Sequence, residues 1–291
     1  MLVEGGKAFM SDISLLKDII TSRQNPTVKR LCALLDKKLR RKEKVFRFDG
    51  IKLLCEAATK NVEIELVVIS ESIDDGAYRK ISNLVADGKI AKQKILCVSE
   101  QVFEKISEEL SPEGVITVAR YMDTKHRELA NVNNYSIELN ERILLAESLR
   151  DPGNLGTVIR TSSALGIDRL IITDDCADIY NPKTVRAAMG GLFSLNIDIV
   201  KASELVELVI SLKNSGRRIY ATALSESAKE IGTLELSRGD AFLIGNEVHG
   251  LSEQAIAVAS DVAIIPMTEG SESLNAAAAA AICIWETVKV K

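Results

Sequence analysis

From residue 142 onward, short β-branched runs alternate with longer segments of helical period, and this alternation constrains the fold more than any other feature of the chain. Residues 143–146, 170–173, 197–200, 218–223, 241–245 and 262–265 read as strands, and 155–165, 183–189, 203–212 and 275–288 keep helical spacing. Strands separated by helices are joined by crossovers, and crossovers cover both faces of a mostly parallel sheet. In such sheets ligands bind beyond the carboxyl ends of the strands. Residues that break the pattern there are the candidates for chemistry.

A smaller α/β domain is expected over 22–120. Val28, Leu31, Leu34 and Leu35 hold helical spacing, 46–48 reads as a strand, and Gly50 opens a helix over 51–58. Residues 66–70 and 95–98 read as strands with a helix between them, and 115–119 is a further β-branched run. Residues 1–21 read as an extension, with Met10 as an alternative start. The polar stretch 121–140, with Asn131, Asn133 and Asn134, reads as a linker to a second domain at 141–291.

Charge is distributed unevenly between these parts. The chain carries a net −4, yet 22–60 hold twelve Lys/Arg against four Asp/Glu, and six of the eight residues 37–44 are basic. A solvated helix face and a phosphate-binding surface both fit this block. Its one-sidedness in an acidic chain favours phosphates, with Arg23, Lys29, Arg30, Lys37, Lys38, Arg40, Arg41 and Lys42 as the contacts. No aromatic-interleaved motif for reading bases accompanies them.

Other classes of function are argued against by composition. The longest apolar run, 276–285, has ten residues, well short of the roughly 20 that span a bilayer. No basic start with an apolar follow-on marks export, so the cytoplasm is the expected compartment. Five scattered cysteines read as reduced core thiols. With only His126 and His249, neither beside a G-x-S-x-G elbow, the expectation is chemistry without metal or catalytic histidine.

Three segments interrupt the second domain at expected strand ends. In the first, Asp151-Pro152-Gly153-Asn154 opens a helix, with Asn154 an N-cap by residue type. Six residues on, Arg160 stands among small and apolar neighbours, either snorkelling to solvent or held for an anion such as a phosphate. In the second, Gly245 and Gly250 flank Asn246 and Glu247 and permit close backbone approach, while Ser252 suits the cap of a following helix. In the third, a strand runs through Ile265 and Met267 into Ser273, Leu274 and Asn275, then into six alanines. Ordinary capping explains Ser273 and Asn275 equally well. No dinucleotide or P-loop glycine pattern occurs.

In this order and spacing, DPGNLGTVIRTSSALG, RAAMGGLF, GNEVHGLS and IPMTEGSESLNAAAAAAI resemble the motifs of the SpoU/TrmH family of RNA ribose 2′-O-methyltransferases, in the SPOUT class. The basic N-terminal stretch is similar to the substrate-binding domain, of ribosomal-protein-like α/β fold, that many of these enzymes carry. The resemblance implies a parallel-sheet catalytic domain with a C-terminal trefoil knot, and S-adenosylmethionine as methyl donor. It implies donor contacts from three loops: Thr222, Ala223 and Leu224; Gly245, Asn246 and Gly250; Ile265, Met267, Leu274 and Asn275. It further implies a homodimer in which one chain brings Arg160 to the other's donor, with Asn154, Glu247, Ser273 and Asn275 completing the site. Because a guanidinium stays protonated, Arg160 is expected to clamp RNA phosphate and steady the developing alkoxide, with a base role the alternative. Ribosomal RNA is the expected substrate and transfer RNA the alternative. The rival class is a catalytically silent RNA-binding or ribosome-assembly protein, which would have no need to keep all five polar residues.

Overall fold

The computed structural model describes residues 15, 18–109, 111–132, 135–225, 227–268 and 273–290. Most of the expected extension 1–21, together with Asn133, Asn134 and residues 269–272, lies outside these. The chain divides between Tyr121 and Met122 into two compact units.

In the first unit, α1 (Pro26–Ala33) and α2 (Lys37–Glu43) lead into β1 (Val45–Asp49). Then follow α3 (Ile51–Thr59), β2 (Ile64–Ser70), α4 (Asp75–Ala86), β3 (Ile95–Val98), α5 (Glu100–Ile106) and β4 (Val115–Arg120). The strands form one sheet in the order β1-β4-β2-β3, with only β2 and β3 parallel. Both faces are covered, so alternate residues of β2 enter different cores. Val67 and Ile69 pack with Leu54 and Ile81 on one side, and Val68 packs with Val28, Leu31 and Val118 on the other.

The expected RNA-facing block is only partly on the surface. Arg40 is 1% exposed, and its guanidinium donates to the carbonyls of Leu34 and Leu35 at 2.9 and 2.7 Å. It satisfies carbonyls at the end of α1, which have no partner within the helix, and cannot reach RNA. Arg30 is tied to Glu43 at 2.7 Å and Glu65 at 2.6 Å. Arg23, Lys29, Lys37, Lys38, Arg41 and Lys42 are exposed.

In the second unit, the elements are β5 (His126–Glu128), β6 (Ile143–Ala146), α6 (Pro152–Leu165), β7 (Arg169–Thr173), α7 (Pro182–Ala188), β8 (Asn196–Val200) and α8 (Leu205–Asn214). They continue through β9 (Ile219–Thr222), β10 (Lys229–Glu230), β11 (Ala241–Ile244), α9 (Glu253–Val258), β12 (Asp261–Ile264) and α10 (Ala276–Lys289). Every neighbouring pair in the eight-stranded order β10-β12-β9-β11-β6-β7-β8-β5 is parallel. From β6 the chain builds outward through β7 and β8, then crosses to build β9, β11 and β12 on the other side. After β12 it returns to α10, which packs against α6.

The expected linker is a correction. Residues 122–140 belong to the second unit, where β5 pairs with β8 and Val132 is buried. Polar bonds hold this segment, which is why its lack of apolar period misleads. Nε2–H of buried His126 donates to the Leu192 carbonyl (3.0 Å), leaving Nδ1 to accept from the Tyr180 hydroxyl (2.7 Å). Tyr135 donates to Asp198 at 2.6 Å, and the Arg217 guanidinium donates to the carbonyls of Glu138 and Glu141, each at 2.9 Å. Burial pushes the His126 imidazole down to about 4, so it stays neutral.

Candidate active site

The carboxyl ends of β9, β11 and β12 open into one cavity of about 510 Å³, beside the point where strand order reverses from β6. Its walls come from the three loops singled out in the sequence. Thr222, Ala223 and Leu224 line it after β9, and Gly245, Asn246 and Gly250 after β11. Ile265, Met267 and Leu274 line it between β12 and α10. Glu247 and Ser273 also face it, as do Val248, His249 and Ile256, which pattern alone gave no reason to choose. Asn275 does not line it.

The 245–250 loop is shaped by main-chain bonding. Asn246 and Gly250 exchange both backbone hydrogen bonds, at 2.9 and 3.1 Å, with Gly250 in the left-handed region at φ 68°. The Asn246 side-chain oxygen accepts from the amides of Val248 (2.9 Å) and His249 (3.0 Å), and its amide nitrogen donates to the Ser148 carbonyl (2.7 Å). Gly245 passes so close under this loop that a Cβ would overlap the Gly250 carbonyl carbon and the Leu251 nitrogen. Only glycine fits there.

One polar relay joins the three motifs. The Asn275 side chain donates to Asn154 Oδ1 at 2.9 Å, and Asn154 Nδ2 donates to Glu247 Oε1 at 3.0 Å. Glu247 also accepts from the backbone amides of Arg150 and Asp151, each at 3.3 Å. The Asn275 oxygen meanwhile caps α10, accepting from the amides of Ala277 and Ala278 at 2.9 and 3.3 Å. Capping and site-building are thus the same residue's work.

The expected N-cap of α6 is corrected by one turn. Asp151 fills that position and accepts from the Asn154 amide at 2.8 Å, with Pro152 next and left-handed Gly166 ending the helix. The Asn154 side chain is thereby freed for the relay. The Asn154 amide foremost, and then Lys183, hold the Asp151 carboxyl below its ordinary range.

Arg160 stands apart from this assembly. Six residues along α6 from Asn154, it lies about 9 Å further up the axis and about 240° around it. Its side chain is exposed and bonded to no described residue. Its backbone, in contrast, is closely held: a Cβ on Gly191 would lie 3.1 Å from Arg160 Cα and 3.3 Å from the Ile159 carbonyl oxygen. Lower on the helix, a Cβ on Gly156 would lie 2.5 Å from both Ala187 Cβ and the Thr184 carbonyl. The RAAMGGLF segment is therefore the surface on which α6 is seated.

Residues 141–285 match the SpoU rRNA Methylase family, and residues 25–117 match the MRM3-like substrate binding domain. The chain is 30% identical to the 23S rRNA (guanosine(2553)-2′-O)-methyltransferase RlmP of Bacillus subtilis (strain 168) over 267 residues, which cover 91% of this chain and 97% of that relative. The chain belongs to the SpoU rRNA methylase family. This SpoU-family chain is also 34% identical over 140 residues to the 23S rRNA (uridine(2479)-2′-O)-methyltransferase of Streptomyces viridochromogenes, covering 47% of this chain and 49% of that one. Its structure is similar to that of an AdoMet-bound rRNA methyltransferase from Sinorhizobium meliloti, with TM-score 0.77 and 28% identity over 93% of this chain and 97% of that one. The SpoU-family fold is the SPOUT-type trefoil-knot α/β domain, here preceded by a substrate-binding domain.

S-adenosylmethionine fits the cavity. A volume of about 510 Å³ lies within the ~300–1,000 Å³ of cofactor-sized pockets. Leu224, Ile265 and Leu274 offer apolar wall to a heterocycle, while Thr222 and Ser273 offer polar groups and Glu247 a carboxylate toward a cation. The missing side chain at Gly245 lets the 246–250 loop close against the wall, where a Cβ would strike the main chain of Gly250 and Leu251.

Proposed function

We propose that this protein transfers a methyl group from S-adenosylmethionine to a ribose 2′-hydroxyl of ribosomal RNA, in the cytoplasm, working as a homodimer. The observation that carries this reading is a donor-sized cavity built from three motif loops, with its lining Glu247 tied through Asn154 to Asn275. The relatives' names support ribosomal RNA as the substrate class.

When bound, the donor supplies an electrophilic methyl carbon on a sulfonium. The protein's task is to hold the ribose oxygen in line behind that carbon and to manage the hydroxyl's proton and charge. Glu247 fixes the start of α6 against the 245–250 loop, so that donor wall and RNA-facing helix keep one geometry. Asn154 and Asn275 hold that junction, and Ser273 faces the cavity with a hydroxyl able to meet the ribose. Arg160 points away from its own chain's relay, so the reading assigns it to a partner's site, where its guanidinium clamps an RNA phosphate and steadies the alkoxide. The 53%-exposed Trp285 on α10 supports an apolar contact between two copies.

Methylation of unmodified ribosomal RNA with labelled donor, followed by mapping of the modified ribose, tests the reading. Label in transfer RNA instead would overturn the substrate, and absence of donor binding by calorimetry would favour the silent protein. Arg160→Ala should abolish turnover with donor affinity nearly unchanged; equal loss of both contradicts its role. Mixing R160A with a donor-defective chain should restore about a quarter of the wild-type rate, because half of randomly paired dimers then carry one intact site. No restoration would mean that each site is built from one chain.

A further inference from the structure

The first unit holds a second hollow, of about 460 Å³, between the start of α1 and α5. It is lined by Arg23, Gln24, Lys29, Cys32, Ala33 and Lys105. Three cations, brought from the segment before α1, from α1 itself and from α5, share this space with no carboxylate among its described lining residues. Among the described residues, Lys29 and Lys105 have no ion-pair partner, and Arg23 donates only a 3.4 Å bond to the Gln101 carbonyl. The neighbouring Arg30 makes the contrast: it faces two carboxylates, Glu43 and Glu65, and is neutralised by them. Along one helix, then, adjacent cations have opposite fates, one consumed by the fold and one left facing a cavity.

Like charges gathered without counter-ions repel one another, and the fold gains nothing structural from keeping them together. An anion relieves that repulsion, and the hollow is far larger than a lone phosphate requires. Gln24 adds an amide that both donates and accepts, and Cys32 and Ala33 provide a small, weakly polar floor. We infer that this hollow seats a phosphodiester of the RNA together with its attached nucleoside, so that Lys105 joins Arg23 and Lys29 as one RNA-positioning site. The inference rests on the ribosomal RNA reading above and adds where the substrate-binding unit grips. Contacts of this kind set the register of an RNA on a protein without reading its bases.

The test compares the full-length chain with a variant carrying Arg23→Gln, Lys29→Gln and Lys105→Gln, and with a charge-matched control carrying Lys80→Gln, Lys89→Gln and Lys92→Gln, which are exposed and do not line the hollow. Binding of in vitro transcribed ribosomal RNA is followed by anisotropy across a salt series. Losing three phosphate contacts should flatten the slope of log affinity against log salt by about 2, at ~0.7 or more per contact. The control should flatten it less. Cys32 gives a second readout, since RNA seated in the hollow should slow its alkylation by iodoacetamide several-fold, with Cys55 as an internal reference outside the cavity. A triple variant with wild-type slope, or a Cys32 alkylated equally fast with and without RNA, overturns the inference. Protection by inorganic phosphate alone also overturns it, by making the hollow a free-anion site. Loss of the methyltransferase reading would show elsewhere, as wild-type protein that neither binds donor nor methylates RNA.

Discussion

Replacing Gly245 with alanine strikes the donor wall at the point where main chain meets main chain. The new Cβ would overlap the Gly250 carbonyl carbon and Leu251 nitrogen and lie 2.6 Å from the Gly250 oxygen. No side-chain rotation relieves a clash with backbone, so the 246–250 loop must open. Opening breaks the two Asn246–Gly250 bonds of 2.9 and 3.1 Å, worth about 0.5–1.5 kcal/mol each. A cost near 2 kcal/mol to the closed loop lowers donor affinity by about 30-fold, since ~1.4 kcal/mol is tenfold. Calorimetry with S-adenosylmethionine measures this directly. Gly232→Ala is the control, because a Cβ there meets nothing within 4 Å. Wild-type donor affinity in G245A, with native circular dichroism, would refute the argument that this glycine shapes the pocket.

Other expectations follow from the relay, the buried imidazole and the seat of α6. Asn154→Ala and Asn275→Ala should each destabilise the second unit, and the double variant should cost about 1 kcal/mol less than the two added together, because they share a hydrogen bond; strict additivity in urea unfolding would count against the relay. His126, depressed to about 4 in the fold, takes up its proton first in the unfolded chain. Its contribution is therefore complete above pH ~6.5 and is lost as pH falls toward ~4, amounting to about 2 kcal/mol between pH 7 and pH 5. His126→Gln should remove that part of the pH dependence, and an unchanged profile would show that another group causes it. Gly191→Ala should push the Met189–Phe193 turn and α6 apart by a few tenths of an ångström at Arg160 and lower kcat several-fold, given that ~1 Å of misplacement costs about 100-fold. Donor affinity should hold, because the crowding falls at Ile159, Arg160 and Ser163; a fall in it instead would show that the shift reaches the relay at the start of α6.

What the sequence reveals depends on whether local pattern or distant bonding does the work. The strands of the second unit are apolar runs bounded by turn residues, and 143–146 matches β6 residue for residue. The cavity loops are legible for the same reason, as interruptions of that rhythm by glycine and asparagine. The short β5 is not, because its three residues have no period and its neighbours are held by His126, Tyr135 and Arg217 reaching across the chain. Nor does charge counting distinguish Arg40, spent on the carbonyls of α1, from Lys29 beside a hollow. Lys105 escapes notice because it is distant in sequence from the basic block and enters the hollow only through the packing of α5 on α1. Arg160 is conspicuous in sequence, yet a single chain leaves it on the surface.

The loop after β11 has its outline drawn by Gly245, Gly250 and the Asn246 side chain, whereas Val248 at its crest is 82% exposed. Shape and surface chemistry are thereby uncoupled over a span of six residues. The crest can therefore carry other side chains, altering the wall presented to the cavity, without any rebuilding of the floor beneath it.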